Sequence, residues 1–393
     1  MSVKFSELAY LSNKAKEYRY HRNSTLFSET GKEVRNFTKA EAIYFLNDIN
    51  HRTLNNYCKQ LNIDPKRHED SDWRIDINEL YQIRDLIPEQ KRKAPKHDSR
   101  NKDTQVIVVQ NQKGGVGKTI TAVTLASCLA IHYHQEYRVG IIDLDPQSTA
   151  SMYYAPETGF ADVQTAGDLL IGNYDLIDGE TEKDAIKRAF LQTSIPNLRI
   201  LPASQRDRQV DGWFHNKLAN KDLDRPYSVL NDIIDVVRDD FDIIIVDTPP
   251  SLTFTTINAY FAASSIILPI SATENDLDAT SGYFEAIEGI GAILQAYNHR
   301  GFDFFKILIT NYMGDSSSVE VRAEIEKYFG DQLYSTEFKH SVAVKQCSSL
   351  MCTLFDISKS EYPKTKASFQ NAVDNAYAVV SKIHSDIERA WSK

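Results

Sequence analysis

The chain has 393 residues and a mass of 44.7 kDa, more than one ordinary core accommodates, so two or three domains are expected. With 42% hydrophobic and 25% charged residues, 16 Gly and 12 Pro, the composition excludes collagen-like and low-complexity chains. The net charge of −9 divides unevenly: residues 1–103 carry 20 basic and 16 acidic side chains, and the remainder carries 25 and 38. A basic front on an acidic body suits a polyanion that meets the front first, although so small an excess is also ordinary surface variation. No apolar run nears the roughly 20 residues that span a bilayer, and the first 20 residues lack the continuous apolar stretch of a secretory signal. Cys58, Cys128, Cys347 and Cys352 have no CxxC spacing, so neither a zinc site nor a disulfide framework is expected, as in a reduced, cytosolic protein.

In chain order, Phe5–Tyr20 reads as a helix within a front segment, 1–35. Phe37–Leu46 reads as a second helix, capped by Thr38 with Glu41 three residues on, the pattern of a capping box. After a turn at Asn47–Asn50, His51–Leu61 forms a third, with Leu54, Tyr57, Cys58 and Leu61 on one face. Its other face offers Arg52, Thr53, Asn55, Asn56 and Lys59, side chains suited to base edges and phosphates. Asp72–Asp76 reads as a wing strand and Ile77–Leu86 as a supporting helix, giving a winged helix-turn-helix over 36–87 that is expected to bind DNA. A plain helical hairpin with a wet polar face is the alternative. Polar, basic residues 88–104, with Pro88 and Pro95, read as a linker.

From 105 to 393 short apolar runs alternate with amphipathic stretches. Residues 105–111, 138–145, 198–203, 242–248, 265–271 and 305–311 read as strands covered on both faces. Residues 119–133, 227–238, 252–263 and 280–297 read as helices between them, which predicts a doubly wound, mostly parallel α/β domain. Where the first strand hands over to its helix stands Lys113-Gly114-Gly115-Val116-Gly117-Lys118-Thr119. Small residues let backbone N–H groups turn inward, Lys118 neutralises phosphate oxygens, and the Thr119 hydroxyl is placed to hold Mg²⁺. The usual G-x-x-x-x-G-K-[ST] spacing fails at position 112, which is Gln. Lys113 at the loop mouth has two readings: a solvated lysine on a glycine turn, or a finger reaching a facing subunit's nucleotide. Asp143, Asp145 and Asp247 sit at or just past strand ends, where open α/β sheets bind ligands. Asp143 and Asp247 face the metal, and Asp145 is placed to orient the attacking water.

The Lys113–Thr119 loop, Asp143-Leu-Asp145-Pro-Gln147 and Asp247-Thr-Pro-Pro250 together resemble the deviant Walker ATPases of the ParA/MinD group. The resemblance implies an ATP-sandwich dimer in which Lys113 acts in trans, Gly114 to Ile120 cradle the nucleotide, and Asn311 meets the adenine. It implies Thr119, Asp143 and Asp247 as the Mg²⁺ set, and Lys113, Lys118 and Asp145 as the catalytic residues of a slow, Mg-dependent ATPase. The front resembles that of the large ParA proteins, which dimerise through a first helix and repress their own operon through a winged helix. Family members also bind nucleoid DNA without sequence preference. Lys339 and Lys345 correspond approximately to their basic residues, and a solvated loop fits equally well. The implied partners are a second copy, higher-order filaments, operator and non-specific DNA, and a ParB-type centromere-binding protein, in a bacterial cytoplasm. Cluster cysteines of the nitrogenase-type branch are lacking. The C-terminal stretch has apolar Val373, Val380, Ile383, Ile387 and Trp391, with Asp374, Asp386 and Glu388 on its polar face, unsuited to anionic lipid. It is expected to pack on the body, leaving no membrane contact. A nucleotide-sensing repressor without a partition role and a membrane-associated MinD-like regulator are the rival readings.

Overall fold

The computed structural model describes residues 5–26, 34–67, 72–99, 102–156 and 163–393. Parts of the front segment (1–4 and 27–33) and of the linker (100–101) therefore lie outside the described residues. Helix α1, Phe5–Leu26, displays exposed Leu8, Tyr10, Leu11, Tyr18 and Tyr20. Strand β1, Asn36–Thr38, runs straight into α2, Lys39–Phe45, whose N-cap is Thr38 with both bonds of the capping box to Glu41. Helix α3, His51–Gln60, starts at the Asn50 cap and buries Leu54 and Cys58. Strand β2, Arg74–Asp76, pairs antiparallel with β1 and feeds α4, Ile77–Asp85, through a second capping box, Asp76 with Glu79. Two reciprocal boxes satisfy the helix-end N–H groups that short helices otherwise leave bare.

The body is a seven-stranded sheet in the order β5-β6-β4-β7-β3-β8-β9. Its strands are β3, Gln105–Val109; β4, Val139–Asp143; β5, Leu191–Gln192; β6, Leu198–Leu201; β7, Ile243–Asp247; β8, Ser265–Ser271; and β9, Phe304–Thr310. All neighbours are parallel except β5 with β6. Every residue of β3, β4, β7 and β8 is buried, as β-branched runs covered on both faces require. The six predicted strands therefore stand within two residues or so of their expected ends, and the fold class is as expected. The two-residue edge strand β5 carries too short a pattern to read from the sequence.

Helix α5, Lys118–Ser127, starts at the glycine loop and widens into a π-turn over Cys128–His132. Helices α6, Thr149–Tyr154; α7, Ala166–Leu170; α8, Glu182–Ala189; α9, Val210–Ala219; α10, Val229–Val237; and α11, Phe254–Ala262 follow, with α12, Glu274–Ala296; α13, Ser316–Phe329; α14, Val342–Ser349; and α15, Lys366–Trp391 completing the layers. Helix α15 buries Val380, Ile383 and Ile387 against the body, as its periodicity predicts. One residue departs from expectation: Asp386, assigned to the polar face, is buried and ion-paired to Arg389 at 2.7 Å. It lies three residues from Ile383 and one from Ile387, on the flank of the apolar stripe.

The front unit is fastened to the body. Tyr81 donates to the Ala130 carbonyl in the π-turn (3.1 Å), and Arg35 donates to the Phe355 carbonyl (2.6 Å). Arg84 pairs with Glu136 at 2.5 Å and also donates to the His134 carbonyl. The linker is anchored as well: the His97 ring packs at a tilt between Tyr137 and Trp391, and its backbone N–H bonds to Gln135 O.

Candidate nucleotide site

Register places the site. Asp143 lies level with Asp247 across β4 and β7, and Asp247 level with Val109 of β3, so three strand ends form one row at the carboxyl edge. The Lys113–Thr119 loop springs from that row. Gly115 and Gly117 have φ of +80° and +83°, left-handed conformations that a side chain would strain. Thr310, at the end of β9, packs against Gly117 and donates to the Val116 carbonyl at 2.8 Å. Asn111 accepts the Lys113 N–H (2.9 Å) and donates to Pro269 O on β8 (2.8 Å), pinning the mouth of the loop.

Lys118 is buried at the start of α5 and donates to the Lys113 carbonyl at 3.0 Å. Burial pulls its pKa down, while Asp247 and Asp145 push it up. Asp247 is fully buried, and neither of its oxygens makes a well-formed hydrogen bond. Burial first, then Asp143, raises its pKa well above the carboxylate range, with the Thr119 hydroxyl and Lys118 easing the charge. An orphaned carboxylate next to two others, facing a threonine hydroxyl, is the donor chemistry a hard divalent cation takes.

Asp143 is also fully buried, and both oxygens have partners. One accepts the Asp145 N–H (3.0 Å), and the other the Ser151 N–H (2.8 Å) and hydroxyl (2.7 Å). Burial raises its pKa to about 7 against those bonds. Asp143 thus braces the loop that carries Asp145, whose own carboxylate accepts the Gln147 N–H at 2.9 Å. Ser151, which no motif marked, completes this brace by accepting the Ala203 N–H.

A cavity of about 830 Å³ opens beside the loop, between α5, α14 and α15. Gly115, Gly117, Ile120 and Asn311 line it, Asn311 with a left-handed φ of 51°. Lys339 and Lys345, expected to meet DNA, line the same cavity from its exposed rim. The Lys339 N–H bonds to Asn375 of α15 at 2.9 Å, fixing that rim. The other expected DNA contacts lie elsewhere, on the front unit: Arg52, Asn55, Asn56 and Lys59 are exposed along α3. Thr53 differs, because its hydroxyl and N–H both serve the Asn50 cap.

A parallel sheet with a glycine-rich loop between its first strand and helix, and acidic strand ends beside it, defines a P-loop nucleotide-binding protein. Residues 104–300, half of the chain, match the model of an AAA-domain family, AAA_31. A putative replication protein A of Rhizobium rhizogenes is 28% identical over 81% of this chain and 77% of its own. The sporulation initiation inhibitor protein Soj of Bacillus subtilis is 29% identical over 62% and 88%, and the chromosome partitioning protein ParA of Caulobacter vibrioides 28% over 62% and 84%. Among solved structures, one titled Partition Protein superposes with a TM-score of 0.67 over 99% of both chains at 17% identity. A putative plasmid partition protein of Borrelia burgdorferi bound to AMPPNP scores 0.51 at 18% identity, covering 69% of this chain and 98% of that one. The chain belongs to this AAA-domain family, and the relatives it is similar to include partition proteins. Among the described residues no helix is long and apolar enough to cross a membrane.

Proposed function

We propose that this chain is an ATP-dependent DNA-partition ATPase whose ATP-bound dimer holds nucleoid DNA and is released when a ParB-type partner stimulates hydrolysis. The observation that carries the reading is the convergence of Lys118, Asp145 and an unpartnered Asp247 carboxylate on one phosphate loop. The loop N–H groups from Gly114 to Thr119 and the Lys118 ammonium bind the phosphates. Thr119 and Asp247 hold Mg²⁺, with Asp143 behind them, and the ion supplies positive charge against the phosphate oxygens. Asp145, steadied through its own N–H by Asp143, orients the water. Lys113 reaches the nucleotide of the facing copy, and Asn311 meets the base. Turnover is slow, because a switch needs a long-lived bound state.

In this reading residues 36–87 form a winged helix-turn-helix that reads operator DNA through Arg52, Asn55, Asn56 and Lys59 on α3. Thr53 sits at its cap, and α1 with the rest of 1–35 pairs two copies. Residues 105–393 form the ATPase domain, with 88–104 as the linker. Lys339 and Lys345 join the non-specific DNA surface at the cavity rim. The test is phosphate release measured alone, with random DNA, and with DNA plus the product of the adjacent gene. Stimulation by the last mixture, and ATP-dependent, salt-sensitive binding to random DNA, are expected. A rate indifferent to both additions, with no ATP effect on DNA binding, would defeat the partition role. The exposed α3 face also supports a repressor activity, which gel shifts on the chain's own upstream DNA would detect.

A further inference from the structure

Gln110 stands between β3 and the phosphate loop with no exposed surface, and no nucleotide-binding motif requires a glutamine there. Its backbone N–H bonds to Ile267 O on β8. Its side chain does more. The amide oxygen accepts the Thr248 hydroxyl at 2.7 Å, and the amide nitrogen donates to the Ser251 carbonyl at 3.2 Å. One side chain therefore grips both ends of Thr248-Pro249-Pro250-Ser251, the loop that follows Asp247. The two prolines have no N–H to offer. Within the loop the backbone bond runs from Ser251 N to Pro249 O, so side chains must do most of the fixing. Thr256 on α11 adds a second bond to Ser251 O at 2.7 Å.

Gln110 and Thr248 are both buried, so these bonds lie in dry core where each is hard to replace with water.

We propose that Gln110 is a positioning residue for hydrolysis, holding the Thr248–Ser251 loop beside the phosphates. The proposal rests on the ATPase reading above. Gln110→Met keeps length and removes every side-chain hydrogen bond, and Gln110→Asn withdraws the amide from its partners. Each variant is compared with wild type for ATP affinity, kcat, and hydrogen exchange with no nucleotide, with ADP and with a non-hydrolysable ATP analogue. Expected for Gln110→Met is ATP affinity within about two-fold of wild type and kcat lower by about tenfold or more, since displacing a reacting group is costly where weakening the pocket is not. The Ser251 and Leu252 amides should exchange faster even without nucleotide. Wild-type kcat and exchange in both Gln110 variants would overturn the positioning role. So would equal losses of affinity and kcat, the mark of a merely structural residue. Should Gln110→Met fail to fold, Gln110→Asn carries the same readings. A wild type that neither binds nor hydrolyses ATP would sink the ATPase reading, whereas exchange without nucleotide still decides whether Gln110 holds the loop.

Discussion

The phosphate end of the sheet and the junction between front unit and body are organised in opposite ways. At the sheet edge, seven consecutive residues, 113–119, form the glycine loop of the proposed site, where backbone geometry presents the N–H groups. At the junction the holding groups are far apart in the chain: Arg84 with Glu136, Tyr81 with Ala130, Arg35 with Phe355. Side chains of both junction ion-pair partners are nearly dry, at 4% and 9% exposure. The first region can be changed in chemistry with little change in fold. The second couples any change in charge directly to stability, because a buried ion without its partner is costly.

The largest effects should come from the first region. Lys118→Ala is expected to abolish measurable ATP binding by calorimetry, a loss on the order of 100-fold or more, while thermal unfolding stays near wild type. Asp145→Ala should still bind ATP yet lose hydrolysis on the order of 100-fold; an unchanged rate would remove Asp145 from the water-orienting role. The contrast is sharpened at the junction. Arg84→Met should lower unfolding free energy by about 3 kcal/mol in denaturant titration, the low end for a broken buried pair because Lys96 still reaches Glu136 at 3.2 Å. Replacing both partners, Arg84→Met with Glu136→Leu, should recover most of that loss.

Acid should act on the same junction. Burial, aided by nearby cations, pushes His132 down to about 4 and His134 to about 3. His384 is also pushed to about 4 by burial. In the unfolded chain these rings titrate near about 6.5, so between the two values the unfolded state binds more protons. Their neutral forms therefore support the fold fully above about pH 6.5, and that support drains away as pH falls toward 4. Thermal scans should show a falling midpoint over that window, less steep in His132→Phe. The smallest effect belongs to a cap: Thr38→Ala should cost about 1 kcal/mol by removing the hydroxyl that accepts the Glu41 N–H.

Legibility followed the same divide. The glycine loop, the three aspartates and the Thr38 cap are readable because each depends on neighbours within a few residues. Asn111, Gln110, Ser151 and Thr310 are not, since each acts through a partner on another strand or helix. Asp386 was misplaced because periodicity gives a stripe but not the width of the face that the body covers.

By itself the sequence determined the alternation of buried strands and helices, the phosphate loop and the acidic strand ends, because period, glycine and charge act locally. Only the tertiary structure decided that Asp143 braces Asp145 while Asp247 stays unpartnered, and that Lys339 and Lys345 border the cavity. Those outcomes depend on which strand ends fall level and which helices close over them, and register and packing are fixed by contacts between residues remote in the chain.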